Sequence, residues 1–249
     1  MLHSVSIISS SGIVIFEKMW AQGALSKSRL FGSLLSTMQE FSRQTTRMLV
    51  TYIEFNNMSI SMVHSEKENL FCVLFHDVDD GAQLGKLVAE QILRSFVDSH
   101  RQAVHEAVKN VAVFAGFQGK LADALKGVFF VICTKLRSVR GINGVMLLQS
   151  DGEPITSGAW DDEFAIIANV QAMLSASHEL MEIFDDSARV ISFEYLKSTV
   201  LALETRQGTL LAFCRRSVKQ SLLLARLHEA VALLDKAYNI VQGVSPSAM

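Results

Sequence analysis

Chemistry is sought first where titratable side chains share a face or a loop. His178, Glu179 and Glu182 fall on a predicted helix and are metal-ligand types. No second histidine joins them, so a solvated helix face is the better reading. His100 and His105 are five residues apart and do not share a helical face well. Gly116-Phe-Gln-Gly119-Lys120 is superficially similar to a phosphate loop, but it is too short and no Ser or Thr follows the lysine. A hinge between helices fits it better. The patterns GxxxxGK[ST], GxSxG and HExxH do not occur. The acidic pairs Asp79-Asp80 and Asp161-Asp162 read as helix caps, and Asp185-Asp186 as a loop beyond a helix end. The sequence therefore predicts no catalytic residue, no cofactor-binding residue, no cofactor and no metal ligand.

One basic cluster stands out. Arg215-Arg216 with Lys219 and Arg226 is joined by Arg137 and Arg140. It reads as solvated charge at a strand exit. The functional alternative is a partner-binding cluster at Arg215, Arg216 and Lys219, for an acidic surface or for an arginine directed at a bound nucleotide.

The elements that would carry these residues follow from composition and pattern. The chain has 249 residues, 49 % of them hydrophobic and 19 % charged, enough for a sizeable core in one or two domains. Two prolines, Pro154 and Pro246, argue against long disordered stretches. A net charge of −2 gives no broad pull toward nucleic acid. Cys72, Cys133 and Cys214 are scattered through apolar runs without CxxC spacing, as buried free thiols in a reducing compartment would be. No apolar run approaches membrane-spanning length. The N-terminus reads as a strand, not a signal peptide, and no lipid anchor is evident. The expectation is a cytoplasmic protein, at most peripheral on endomembranes, with any membrane contact made through partners.

The chain reads as a pseudo-repeat. Ser4-Val-Ser-Ile-Ile-Ser-Ser-Ser-Gly12 resembles Gly144-Val-Met-Leu-Leu-Gln-Ser-Asp-Gly152, and Trp20 and Trp160 share the offset of 140. Each half opens with a hairpin, 2–9 with 13–20 and 142–149 with 154–159. Each continues with an amphipathic helix, through Leu30–Phe41 and from about 162 to Phe184. Three strands follow, at 49–55, 58–62 and 70–75, then at 190–195, 199–204 and 209–215. A closing helix ends each half. Residues 101–138 have helical pattern and glycine punctuation, and predict two further helices. The fold class expected is α/β (α+β), with two five-stranded mixed sheets in ββ-α-βββ-α order, flanked by helices.

This order resembles two related families that share a profilin-like layout. Residues 1–110 look like a longin domain. The opening Met-Leu-His-Ser-Val-Ser-Ile-Ile…Gly-Ile-Val-Ile-Phe-Glu-Lys-Met-Trp is similar to the start of longin-type domains in adaptor medium chains. The stretch Tyr52-Ile-Glu-Phe…Leu70-Phe-Cys-Val-Leu-Phe resembles the N-terminal domain of the signal-recognition-particle receptor alpha subunit. Residues 111–249 look like a roadblock domain with a leading helix, on Gly144-Val…Asp151-Gly152 and Leu201-Ala-Leu-Glu…Gly208-Thr-Leu-Leu-Ala-Phe. The resemblance implies a non-catalytic adaptor or scaffold for a small Ras-like GTPase. It also implies a dimer through an edge strand and the preceding helix, which map here to Val190, Ile191, Phe193 and Tyr195 and to residues 162–184. A coat or motor-complex subunit, or an exchange factor or activating protein for the GTPase, is the alternative.

Overall fold

The computed structural model describes residues 1–20, 28–105, 111–158, 163–184, 190–196 and 198–244. By spatial clustering the chain divides into two compact units. One comprises Met1–Val128 with Asn239–Met249, the other Phe129–Tyr238.

The first unit is built on strands β1 (Leu2–Ser9), β2 (Val14–Met19), β3 (Tyr52–Glu54), β4 (Ser59–Ser65) and β5 (Leu70–His76). Their order across the sheet is β2-β1-β5-β4-β3. Helix α1 (Ser28–Thr46) leads from β2 to β3, and α2 (Gly81–Ser99) follows β5. The second unit repeats the plan with β6 (Ile142–Gln149), β7 (Pro154–Ser157), β8 (Val190–Glu194), β9 (Ser198–Thr205) and β10 (Gly208–Arg215) in the order β7-β6-β10-β9-β8. Between them come α3 (Arg101–His105), a 3-10 helix at Val111–Lys120 and α4 (Leu121–Arg137). Helix α5 (Glu163–Glu182) precedes β8, and α6 (Gln220–Val244) follows β10.

The expected ββ-α-βββ-α order is thus present twice, with five strands in each sheet. The sheets are antiparallel at every pairing, not mixed. The reason is topological. The helical crossover joins β2 to β3, but these strands lie at opposite edges of the sheet and never become neighbours.

Turn chemistry sets the hairpins. Gly12 and Gly152 stand at φ 83° and 87°, a conformation that glycine adopts without steric cost. The third predicted strand is shorter than its pattern, and Gln39 of α1 supplies the reason. Its side-chain amide donates to the Val50 carbonyl at 2.5 Å, and its carbonyl accepts from the Val50 amide at 3.0 Å. Gln39 thereby takes the ladder partners that residue 50 would otherwise need from a strand. Replacing Gln39 with Leu should leave both Val50 groups unpaired and cost about 2 kcal/mol in chemical denaturation. A neutral result would show that solvent reaches Val50.

Each sheet buries both faces. On the α1 side of the first sheet, Ile8, Leu35, Ile60, Met62, Val73 and Phe75 form one cluster. On the other side Phe16, Phe96 and Phe117 meet edge to face or tilted, with Phe114 against Phe96. In the second unit Met146, Val170, Ala202 and Leu211 make the cluster under α5, with Leu174, Ile191 and Phe193 against it. Val145, Leu147, Leu201, Leu203 and Leu210 are also buried. All three cysteines are free and buried.

The run 101–138 was expected as two helices. It contains the short α3, then 3-10 geometry over the glycine-punctuated stretch, then α4 as the long helix. The equivalence of Trp20 with Trp160, the Asp161-Asp162 cap and the pair Asp185-Asp186 lie outside the described residues.

Candidate functional site

The residues singled out for chemistry do not converge. The His178 side chain is outside the described residues, as is that of His105. His100 caps the end of α2, its ring nitrogen 3.1 Å from the Phe96 carbonyl, and packs among Phe96, Phe114 and Phe117. Asp80 occupies the N-cap position of α2, but its carboxylate makes no capping bond. It accepts from the Met1 amine at 2.8 Å instead, as does Asp77. Gly116 and Gly119 sit inside the 3-10 helix. Among the described residues no group of three or more His, Cys, Asp or Glu is arranged to hold a metal ion. No helix there is long and apolar enough to cross a membrane.

One nucleophile–base geometry exists that the sequence did not reveal. The Ser61 hydroxyl is 2.9 Å from His76 Nε2, while Nδ1 is 2.9 Å from the Asp77 carbonyl and 3.9 Å from the Asp80 carboxylate. The residue types are those of a hydrolase triad. Ser61 and His76 are both fully buried, however, at 0 % exposure. Burial holds the imidazole below its ordinary pKa and closes the pair to substrate. The pair satisfies two buried polar side chains under Gly85 of α2.

What the two units do expose is apolar surface at equivalent places. In the second unit α5 buries Val170 but leaves Met173 and Leu180 in solvent, and the turn that follows it exposes Ile183 and Phe184 at 76 % and 67 %. Beside it runs β8, an edge strand with one side unpaired within the sheet. In the first unit Leu34 and Phe41 of α1 are exposed, with Met48 and Phe55 near the edge strand β3. Crossover helix and the segments flanking the outer strand thus carry exposed apolar side chains in both units.

Of the strand residues assigned to an interface, Ile191 and Phe193 pack inward on the cluster under α5. Val190 is half-buried and, by alternation, lies on the other face; Tyr195 stands one residue past β8 and is exposed. Two clefts also correspond. One of about 450 Å³ lies between α1 and the β4–β5 end of the sheet, lined by Ser10, Arg43, His64 and Phe71. The other, about 250 Å³, is lined by Ser150, Leu174, Glu204 and Thr209. The strand pairings put Ser10 with Ser150, His64 with Glu204 and Phe71 with Thr209 at matching positions.

The basic residues Arg215 and Arg216 are exposed at the end of β10, and Lys219 follows just before α6. The Arg215 Nε donates to the Asn143 side chain at 3.1 Å, and Arg216 stands 3.9 Å from Glu194, with both side chains more than half exposed. Arg226 pairs with Glu229 one turn into α6 and is separate from them.

No family model matches the chain, and no curated protein matches it in sequence. Among solved structures, Myxococcus xanthus MglB aligns with TM-score 0.43 and 14 % identity, over 45 % of this chain and 89 % of that one. A Roadblock/LC7 domain from Streptomyces avermitilis aligns with TM-score 0.34 and 16 % identity, over 41 % of this chain and 90 % of that one. The fold assignment rests on the strand order and pairing described above.

Proposed function

We propose that this protein is a non-catalytic adaptor that binds and recruits or regulates a small Ras-like GTPase in membrane trafficking or signalling. The reading takes residues 1–110 as a longin-like domain and 111–249 as a roadblock-like one. It is carried by one observation: each unit leaves large apolar side chains exposed on its crossover helix and on the segments that flank the outer strand of its sheet. A burial of on the order of 800 Å² per partner would cover such a margin, with Ile183 and Phe184 as central anchors.

Dimerisation through the α5–β8 margin is the second part of the proposal, with Val190, Ile191, Phe193 and Tyr195 in the contact. Ile191 and Phe193 contribute to the fold as well as to that edge, so Phe184 and Tyr195 are the cleaner positions to change. The double variant F184D/Y195D should remain folded and run as a monomer by light scattering. A wild-type chain that is monomeric at high concentration would remove this part.

For the GTPase itself, calorimetry against candidates loaded with GDP and with a non-hydrolysable GTP analogue should find a binder. Phe184→Asp should weaken it at least tenfold if the GTPase uses the same margin. Absence of binding to every GTPase in both states would favour a coat or motor-complex subunit. Stimulated hydrolysis or exchange would make the protein an activating protein or exchange factor.

A further inference from the structure

The loops at one end of the second sheet come from distant parts of the chain. The register pairs Ile142 with Cys214, Val145 with Ser157 and Ser198 with Arg215. The start of β6, the end of β7, the β8–β9 connection and the end of β10 therefore share that end. The chain enters β6 there from α4 and leaves β10 there into α6. Arg137 and Arg140 arrive with the first connection; Arg215, Arg216 and Lys219 arrive with the last, and all five are exposed.

Cross-contacts bind the loops together. The Arg215 amide donates to the Gly141 carbonyl at 2.8 Å, and Gln220 reaches Ser192 at 3.3 Å. Glu194 is the described carboxylate at this end; it stands 3.9 Å from Arg216 across solvent. Among the described residues that leaves a cationic excess, which the overall charge of −2 conceals.

Apolar tips stand among these cations. Tyr195 and Leu196 form the β8–β9 connection, closed by the Tyr195 amide on the Ser198 carbonyl at 2.9 Å. Leu196 is 85 % exposed, the highest value for a large hydrophobic among the described residues. Leu222, in the first turn of α6, is 63 % exposed.

We propose that this end of the second unit docks directly on an anionic membrane surface. In the docked state Leu196 and Leu222 enter the interfacial layer, and Arg137, Arg140, Arg215, Arg216 and Lys219 meet lipid phosphates. A leucine at the tip of a strand connection makes a poor hot spot in a protein interface, where anchors fill packed pockets near the centre. It makes a good wedge at a bilayer, where apolar tips descend and arginines stay at headgroup level. Each cation near an anionic leaflet raises affinity by roughly fivefold, so a few together with one or two tips support reversible attachment. This inference is independent of the GTPase proposal; either can fail alone.

The test is vesicle flotation of the full chain. Phosphatidylcholine vesicles should not retain it, vesicles with one-third phosphatidylserine should, and high salt should release it. Leu196→Asp should lower binding to the anionic vesicles at least tenfold. The side chain is in solvent, so the circular dichroism spectrum should be unchanged. Arg215→Glu with Arg216→Glu should abolish binding. Leu196→Trp should shift its emission to the blue on vesicles. No retention on anionic vesicles at low salt would overturn the proposal, as would equal retention on neutral ones. So would capture of soluble polyglutamate that outcompetes vesicles while Leu196→Asp has no effect, which would assign the cluster to an acidic protein.

Discussion

Gly208→Ala should cost the second unit about 3 kcal/mol, the largest single-residue effect expected outside the deep core. Gly208 opens β10 at φ 150°, in a region that L side chains rarely adopt. A methyl group there would lie closer than 3.0 Å to the backbone carbonyl of Leu148 on the neighbouring strand. Backbone cannot rotate away as a side-chain end can. The pairing of Gly208 with Gln149, at the end of the two inner strands β10 and β6, would have to open. Differential scanning calorimetry should show the transition moved down by roughly 6–12 °C. A shift under 2 °C would mean that the strand end gives way freely, and the turn at Gln207 would then be softer than its bonds to Gln149 and Ser150 imply.

Gly85→Ala should cost the first unit about 2–3 kcal/mol, for a different reason. Here the added methyl group would meet side chains, Ser61 Oγ and His76 Nε2, both closer than 3.0 Å. Relief requires α2 to lift, or the serine and the imidazole both to move out of their hydrogen bond. The second route leaves the fully buried imidazole with an unpaired ring nitrogen. The double variant S61A/G85A should therefore recover part of the loss, because it removes the nearest of the three colliding atoms. A strictly additive pair would show that Ser61 and Gly85 do not compete for the same space.

The hairpins, the crossover helices and the repeat were legible because they rest on local signals. Ser11-Gly12 and Asp151-Gly152 are turn chemistry, and alternation from Met58 to Met62 marks β4. Strand direction was not legible, since it depends on which strands become neighbours. The length of β3 was hidden for a related reason: Gln39 competes for Val50 from eleven residues away, which no period shows. The Ser61–His76 pair and the basic end of the second sheet are products of register, which unites Arg140 with Arg215 across 75 positions. The apolar margins were legible only in part. The helical spacing from Phe164 to Leu174 predicts a buried stripe, yet Met173 within it remains in solvent.

The sheet order has a consequence for synthesis. Strand β1 lies second in the sheet and pairs with β2 almost at once, but its other side waits for β5, which ends 67 residues after Ser9. Strand β6 waits in the same way for β10. At ribosomal rates of 5–20 residues per second, each hairpin spends roughly 3–13 s with an apolar open edge before its partner emerges. Ile7 and Leu147, fully buried once the sheets close, are exposed to other nascent chains during that interval. Slower translation between Ser9 and Leu70, or between Gln149 and Gly208, would lengthen the exposure, and a holdase that recognises short apolar strands would shorten its effect.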